Sequence, residues 1–144
     1  MNDIVRPAVH DDLAEVSALE AIARVAMASQ RGGAAHLAET PPEADWAAVV
    51  DAGLVWVAEI DGVVLGYLQL VLRGTAAVVR QVFVHPEARE LGFGDRMLEC
   101  AVDHATALGC TVLEGTALPG DRDTKNLYER AGITARKIVV SKAL

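Results

Sequence analysis

The apolar positions change their period along the chain, and each change marks an element. Ile4-Val5-Arg6-Pro7-Ala8 reads as a first strand, stopped at Pro7. Leu13, Val16, Leu19, Ile22 and Ala26 then recur at three- and four-residue spacing, the stripe of an amphipathic helix. Asp12 with Glu15 has capping-box spacing at its start. Ser29-Gln30-Arg31-Gly32-Gly33 breaks the pattern. A second helix is expected from Pro41 or Pro42, because Pro suits a first helical turn, with Trp46, Val49 and Val50 buried and Gly53 as its stop.

From Leu54 the period shortens. Leu54 to Ile60 is a strand, Asp61-Gly62 a two-residue hairpin turn, and Val63 to Leu72 the returning strand. Gly74-Thr75 turns the chain into Ala76–Val84. Phe93, Met97, Leu98, Ala101, Val102 and Ala105 restore the helical stripe, which ends at Gly109. Thr111–Ala117 is a further strand, closed by Leu118-Pro119-Gly120. A short helix from about Asp121 to Ala131 ends at Gly132, and Arg136–Ser141 can form a last strand. The unit running from Ala76–Val84 through a helix to Thr111–Ala117 should make two parallel neighbours. The fold class is therefore α/β, of the α+β kind: a mixed, mostly antiparallel central sheet with helices packed on it. Residues 1–144 suffice for one domain with a buried core.

Composition narrows the function classes. Apolar residues make up 52% and charged ones 23%, a globular balance. A formal charge of −7 disfavours nucleic acid, which needs a concentrated positive surface. The apolar runs are too short for a membrane span, and residues 1–6 do not resemble a secretory leader. Cys100 and Cys110 have no metal-ligand or disulfide-framework spacing, so they read as core thiols in a reducing cytoplasm. No metal is expected.

Chemistry enters at Gly92-Phe93-Gly94, between the strand ending Val82-Phe83-Val84-His85-Pro86 and the long helix. The first four amides of a helix lack internal acceptors, and the helix dipole adds about half a positive charge there. A phosphate or pyrophosphate is the natural guest. A Walker loop is absent, and the dinucleotide fingerprint would need glycine where Met97 stands.

What remains is Arg89-Glu90-Leu91-Gly92-Phe93-Gly94 behind Val82–Pro86. This segment resembles motif A of the GNAT superfamily of acyl-CoA-dependent N-acyltransferases, and Asn126-Leu127-Tyr128-Glu129-Arg130-Ala131-Gly132-Ile133 resembles that family's C-terminal Leu-Tyr-Glu-x-x-Gly-Phe signature. The resemblance is specific from about residue 78 to 133. It implies helices on both faces of the sheet and a splayed parallel strand pair that admits the coenzyme's arm. It also implies acetyl-CoA as donor, with its diphosphate on the amides of Arg89, Glu90, Leu91, Gly92, Phe93 and Gly94. The pantetheine would lie along the main chain of Val82, Phe83 and Val84, with the Val82 amide polarising the thioester carbonyl. Tyr128 is the implied acid that protonates the departing thiolate. Some relatives carry a glutamate where this chain has Gln81, so the base is open. Glu114 is the catalytic candidate taken forward, with Glu59 as an alternative.

The resemblance implies N-acetyl transfer to a primary amine of a small molecule or peptide, by direct attack in a ternary complex. The segment between Gly32 and Trp46 would line the acceptor pocket, where Arg31 could meet a carboxylate. A sensing or interaction module that binds acyl-CoA with little turnover is the alternative, favoured by Gln81. A structural domain binding no coenzyme is a third, favoured by Glu90, which stands where relatives often have glycine. The 12 residues after Gly132 leave room for a second subunit, a homodimer, to complete the sheet or the acceptor wall.

Overall fold

A computed structural model describes residues 2–144. Five strands form one sheet in the order β1-β2-β3-β4-β5: β1 (Asp3–Pro7), β2 (Val55–Ile60), β3 (Val63–Arg73), β4 (Ala76–Val84) and β5 (Val112–Gly115). The first four pair antiparallel and β5 joins β4 in parallel. The hairpin between β2 and β3 turns at Asp61 and Gly62, both at positive φ, as a twist-matched two-residue turn requires.

Period-2 alternation sends neighbouring side chains of β3 to two cores. Leu68 and Leu70 pack with Phe93, Met97 and Leu98 of α4 (Phe93–Ala107) and with Leu127 of α5 (Arg122–Arg130). Tyr67 packs on the other face with Val16 and Leu19 of α1 (Leu13–Ala28) and with Trp46 of α3 (Trp46–Asp51). A short helix, α2 (Gly33–Glu39), lies between α1 and α3.

β4 is irregular where it matters. Gln69 pairs with Gln81 but Leu70 pairs with Val79, so Arg80 is an extra residue in the strand. Such a bulge bends the strand that carries it. The parallel ladder to β5 runs only from Ala76↔Val112 to Val79↔Gly115, while β3 stays paired to β4 as far as Val84. Beyond the bulge, β4 therefore leaves β5 and keeps a bare edge: the expected splay.

Three expectations need correction, and one element went unforeseen. The helix foreseen from Pro41 or Pro42 begins at Trp46, because Asp45 supplies the cap by accepting from Ala48 N–H at 3.0 Å. Helix α2 has no counterpart in the sequence reading. Asp12 and Glu15 do not form a capping box. Asp12 accepts from Val9 N–H and binds Arg6, while Glu15 accepts from Val64 N–H at 3.0 Å. Arg136–Ser141 does not form a strand; no element follows α5, and Ile138, Val139 and Val140 are exposed. The four-residue β5 offers too short an edge for an added ladder.

Candidate active site

The strand-to-helix loop builds an anion cradle. Gly92, at φ +77°, is the N-cap of α4, and nothing lies within 4 Å of a Cβ built on it. The left-handed backbone is what requires glycine there, not crowding. The first helical bond runs from Arg96 N–H to Gly92 O, and Phe93, Gly94 and Asp95 N–H have no acceptor among the described residues. Arg89 spans the mouth: Nε donates to Val84 O at 3.2 Å and Nη1 pairs with Asp123 at 3.0 Å. Glu90 is strained, at φ +66°.

The bare edge of β4 faces the same space. His85 N–H bonds Leu65 O of β3. Alternation then turns the main-chain groups of Val82 and Val84 to the opposite edge, as the Arg89 contact to Val84 O confirms. An amide-rich chain laid there would pair as an added strand. The edge, the cradle and α5 enclose a cavity of about 510 Å³, lined by Val82, Phe83, Val84, Arg89, Glu90, Gly92, Phe93 and Gly94 among others. Of the coenzyme-binding candidates only Leu91 does not line it; its side chain is exposed. Amides aimed outward, an open strand edge and a cavity between them fit a nucleotide-linked pantetheine thioester.

A smaller cavity of about 40 Å³ adjoins it, sharing Met27, Val82, Asp121 and Thr124 as walls. Tyr128 lines it and is 7% exposed. Burial, and then the charge of Asp121, push its phenol up to about 12, so it holds its proton at neutral pH. Its hydroxyl fills the space that a Cβ on Gly115 would need. Glycine at the last paired residue of β5 is what lets the phenol enter the splay.

Glu114 does not join this group. It is exposed on β5, opposite Val78, and lines neither cavity. Glu59 is committed to Arg6, whose Nη2 donates to it at 2.8 Å. Arg31 donates to Pro119 O at 3.4 Å, closing the α1–α2 turn against the segment after β5.

A family model described as Acetyltransferase (GNAT) family matches residues 19–133. The chain belongs to that family. It is an acetyltransferase whose donor is acetyl-CoA. Its fold is similar to that of aminoglycoside N-acetyltransferase AAC(6')-Iy in complex with CoA, 16% identical over 98% of both chains with a TM-score of 0.72. It is also similar to a GCN5-related N-acetyltransferase from Ralstonia eutropha JMP134, 21% identical over 99% of both chains at 0.71. N-acetylglutamate synthase from Neisseria gonorrhoeae, complexed with coenzyme A and N-acetyl-glutamate, matches 90% of this chain with 28% of its own length, at 17% identity and 0.65. No curated protein matches.

The acetyltransferase carries a buried polar network between α1, segment 41–46 and the sheet that the sequence reading missed. Glu20, 4% exposed, accepts from Gln81 Nε2 at 2.6 Å, Glu43 N–H at 3.0 Å and Trp46 Nε1 at 3.3 Å. Gln81 Oε1 accepts from Tyr67 at 2.8 Å, and Gln69 donates to Glu43 at 2.7 Å. Arg80 binds Glu43 at 3.1 Å and Pro41 O at 2.9 Å, so the bulge residue ties segment 41–43 to the sheet. Burial works against ionisation of Glu43, but the Asp45 N–H, the Gln69 amide and Arg80 outweigh it and hold the carboxyl below its usual range. One signal was present: Val16, Leu19, Glu20 and Ala23 share the inward face of α1, so Glu20 sits on the apolar stripe.

Proposed function

We propose that the enzyme transfers acetyl from acetyl-CoA to a primary amine of a small molecule or peptide, by direct attack within a ternary complex. The observation that carries this is the bare β4 edge between the α4 cradle and Tyr128. When bound, the coenzyme supplies an acetyl thioester, and the chain does the rest. The cradle amides and Arg89 hold the diphosphate by charge-assisted bonds, about twice as strong as neutral ones. The Val82 amide donates to the thioester oxygen, where negative charge develops. Tyr128, kept protonated, donates to the departing sulfur.

Several features support this reading. The acceptor would enter beside α2, whose His36 lines the smaller cavity together with Met27 of α1. Neither cysteine lines either cavity, so neither is suited to an acyl-enzyme step. The two half-buried cysteines carry free thiols, which suits a cytoplasmic enzyme. No helix among the described residues is long and apolar enough to cross a membrane. The exposed Ile138-Val139-Val140 run supports a homodimer in which the tail of one copy packs on the other.

The test is thiol release from acetyl-CoA across a panel of amines: spermidine, lysine amide, an aminoglycoside and a short peptide. Turnover with any of them supports the transferase. A thermal shift with acetyl-CoA but no thiol release would instead favour the sensing module, the alternative that Gln81 recommends.

A further inference from the structure

We propose that His36 on α2 accepts the proton of the attacking amine, through one water held in the small cavity it shares with Tyr128. This rests on the N-acetyl-transfer reading and supplies the base that reading lacks. The cavity's volume, about 40 Å³, exceeds the roughly 10–15 Å³ a single water needs. His36, Gln81, Val82, Thr116 and Tyr128 wall it, so the proton acceptor, the oxyanion donor and the acid meet around one space.

The other acceptors that line the small cavity or lie in the network beside it are committed elsewhere. Glu20 is held by three donors, and Glu43 by Gln69, Arg80 and Asp45 N–H. Asp121 accepts from both the amide and the hydroxyl of Thr124. Glu59 is paired with Arg6, and Glu114 lines neither cavity. The imidazole of His36, half-buried, has no hydrogen-bond partner among the described residues.

The charged groups around His36 are otherwise engaged. From α1, Arg24 donates to Thr40 O at 2.7 Å and Leu37 O at 3.4 Å, which fixes the end of α2. From β4, Arg80 is held by Glu43 and Pro41 O. From the α5 side come Asp121 and the neutral phenol of Tyr128.

The step balances. The amine nitrogen bonds to the acetyl carbon and the carbon–sulfur bond breaks. One amine proton passes through the water to the His36 imidazole, and the Tyr128 proton passes to the sulfur, giving amide and free thiol. The imidazolium then returns a proton to the phenolate across the same cavity, and both residues are reset. That return is favoured because burial raises the phenol above its ordinary 10, which makes the phenolate a strong proton acceptor.

The experiment compares wild type, His36→Gln and His36→Ala in thiol release with the amine panel named above, with His10→Gln as control; His10 pairs with Asp51 outside both cavities. Expected is a fall in kcat of about 100-fold in both His36 variants, the low end for general-base catalysis. KM for acetyl-CoA should be unchanged, the acid limb of kcat/KM flattened, and activity of His36→Ala partly restored by added imidazole. A second readout needs no turnover. With coenzyme A bound, adding the accepted amine should move the His36 ring resonances, assigned by their loss in His36→Gln, and leave those of His10. His36 variants that match wild type in rate and pH profile overturn the proposal alone. So does a slowed variant that keeps its acid limb and ignores imidazole. A wild type inert towards every amine overturns it together with the transferase reading.

Discussion

Glu90 shows how one residue can work against its own site. A left-handed backbone costs a non-glycine residue about 1–2 kcal/mol, and Glu90 lines the cavity proposed to take a diphosphate. Glu90→Gly should therefore tighten coenzyme A about fivefold, from the loss of roughly 1 kcal/mol of like-charge repulsion in water. Titration calorimetry checks this, and weaker binding would contradict it. Tyr128→Phe should lower kcat while coenzyme binding survives; full activity across the pH range would remove the phenol from the mechanism. Gly115→Ala tests the same group from its other side. Its Cβ would meet the Tyr128 hydroxyl, so the ring must move and kcat should fall with little change in KM for acetyl-CoA.

Gln81 sits in a network that a glutamate at the same position would disturb. Its amide donates to Glu20 at 2.6 Å, so a carboxylate there would face another at hydrogen-bond distance. Two like charges so close raise one pKa strongly or force the groups apart. Gln81→Glu should lower the melting temperature at pH 7 and recover towards wild type near pH 5, when a shared proton can form. A pH-independent melting temperature would contradict the network.

At the scale of elements, α4 is the instructive case. Its stripe and its glycine start are both visible in the sequence, and the structure adds the three amides left unpaired. Gly94→Glu would place a carboxylate beside those amides and should abolish measurable binding of coenzyme A. Legibility falls off where structure depends on contacts between distant segments. The bulge at Arg80 leaves no mark on an apolar strand pattern, because one extra residue only shifts the alternation. Helix α2 is too short to display a period, although Ala34, Ala35, Leu37 and Ala38 are helix formers. Gln69 and Gln81 read as ordinary strand polars, and their burial follows only once α1 brings Glu20 to them. His36 was invisible for the same reason: nothing in its neighbours places it across a gap from Tyr128. Motif residues fared better, because the backbone geometry they need is local. Tyr128 lines a cavity, while Glu114 lines neither.

The molecule as a whole is tied together at its first strand by Arg6, which joins β1, β2 and the start of α1. Its guanidinium bridges Asp12 at 2.7 and 2.9 Å and Glu59 at 2.8 Å. The Arg6 hydrogen bonds hold the buried Asp12 carboxyl below its ordinary 3.8, despite desolvation, and Glu43 also lies below its ordinary 4.5. A carboxyl depressed in the folded state stabilises it above the unfolded pKa, and that contribution is lost as pH falls through the folded value. Thermal stability should thus decline below about pH 4, most of it reversibly. Asp12→Ala should cost about 2–3 kcal/mol at pH 7, as for a buried hydrogen bond to a charged group, and flatten that acid decline. Calorimetry across pH 2–7 decides it.

The coenzyme's seat bears on every functional statement above, and it can be watched directly. Amide chemical shifts of the nitrogen-labelled protein should be followed as coenzyme A is added. The largest changes are expected at Gly92, Phe93, Gly94 and Asp95, with a second group at Val82 and Val84. Saturable binding that leaves those amides unmoved and shifts another region would contradict the account.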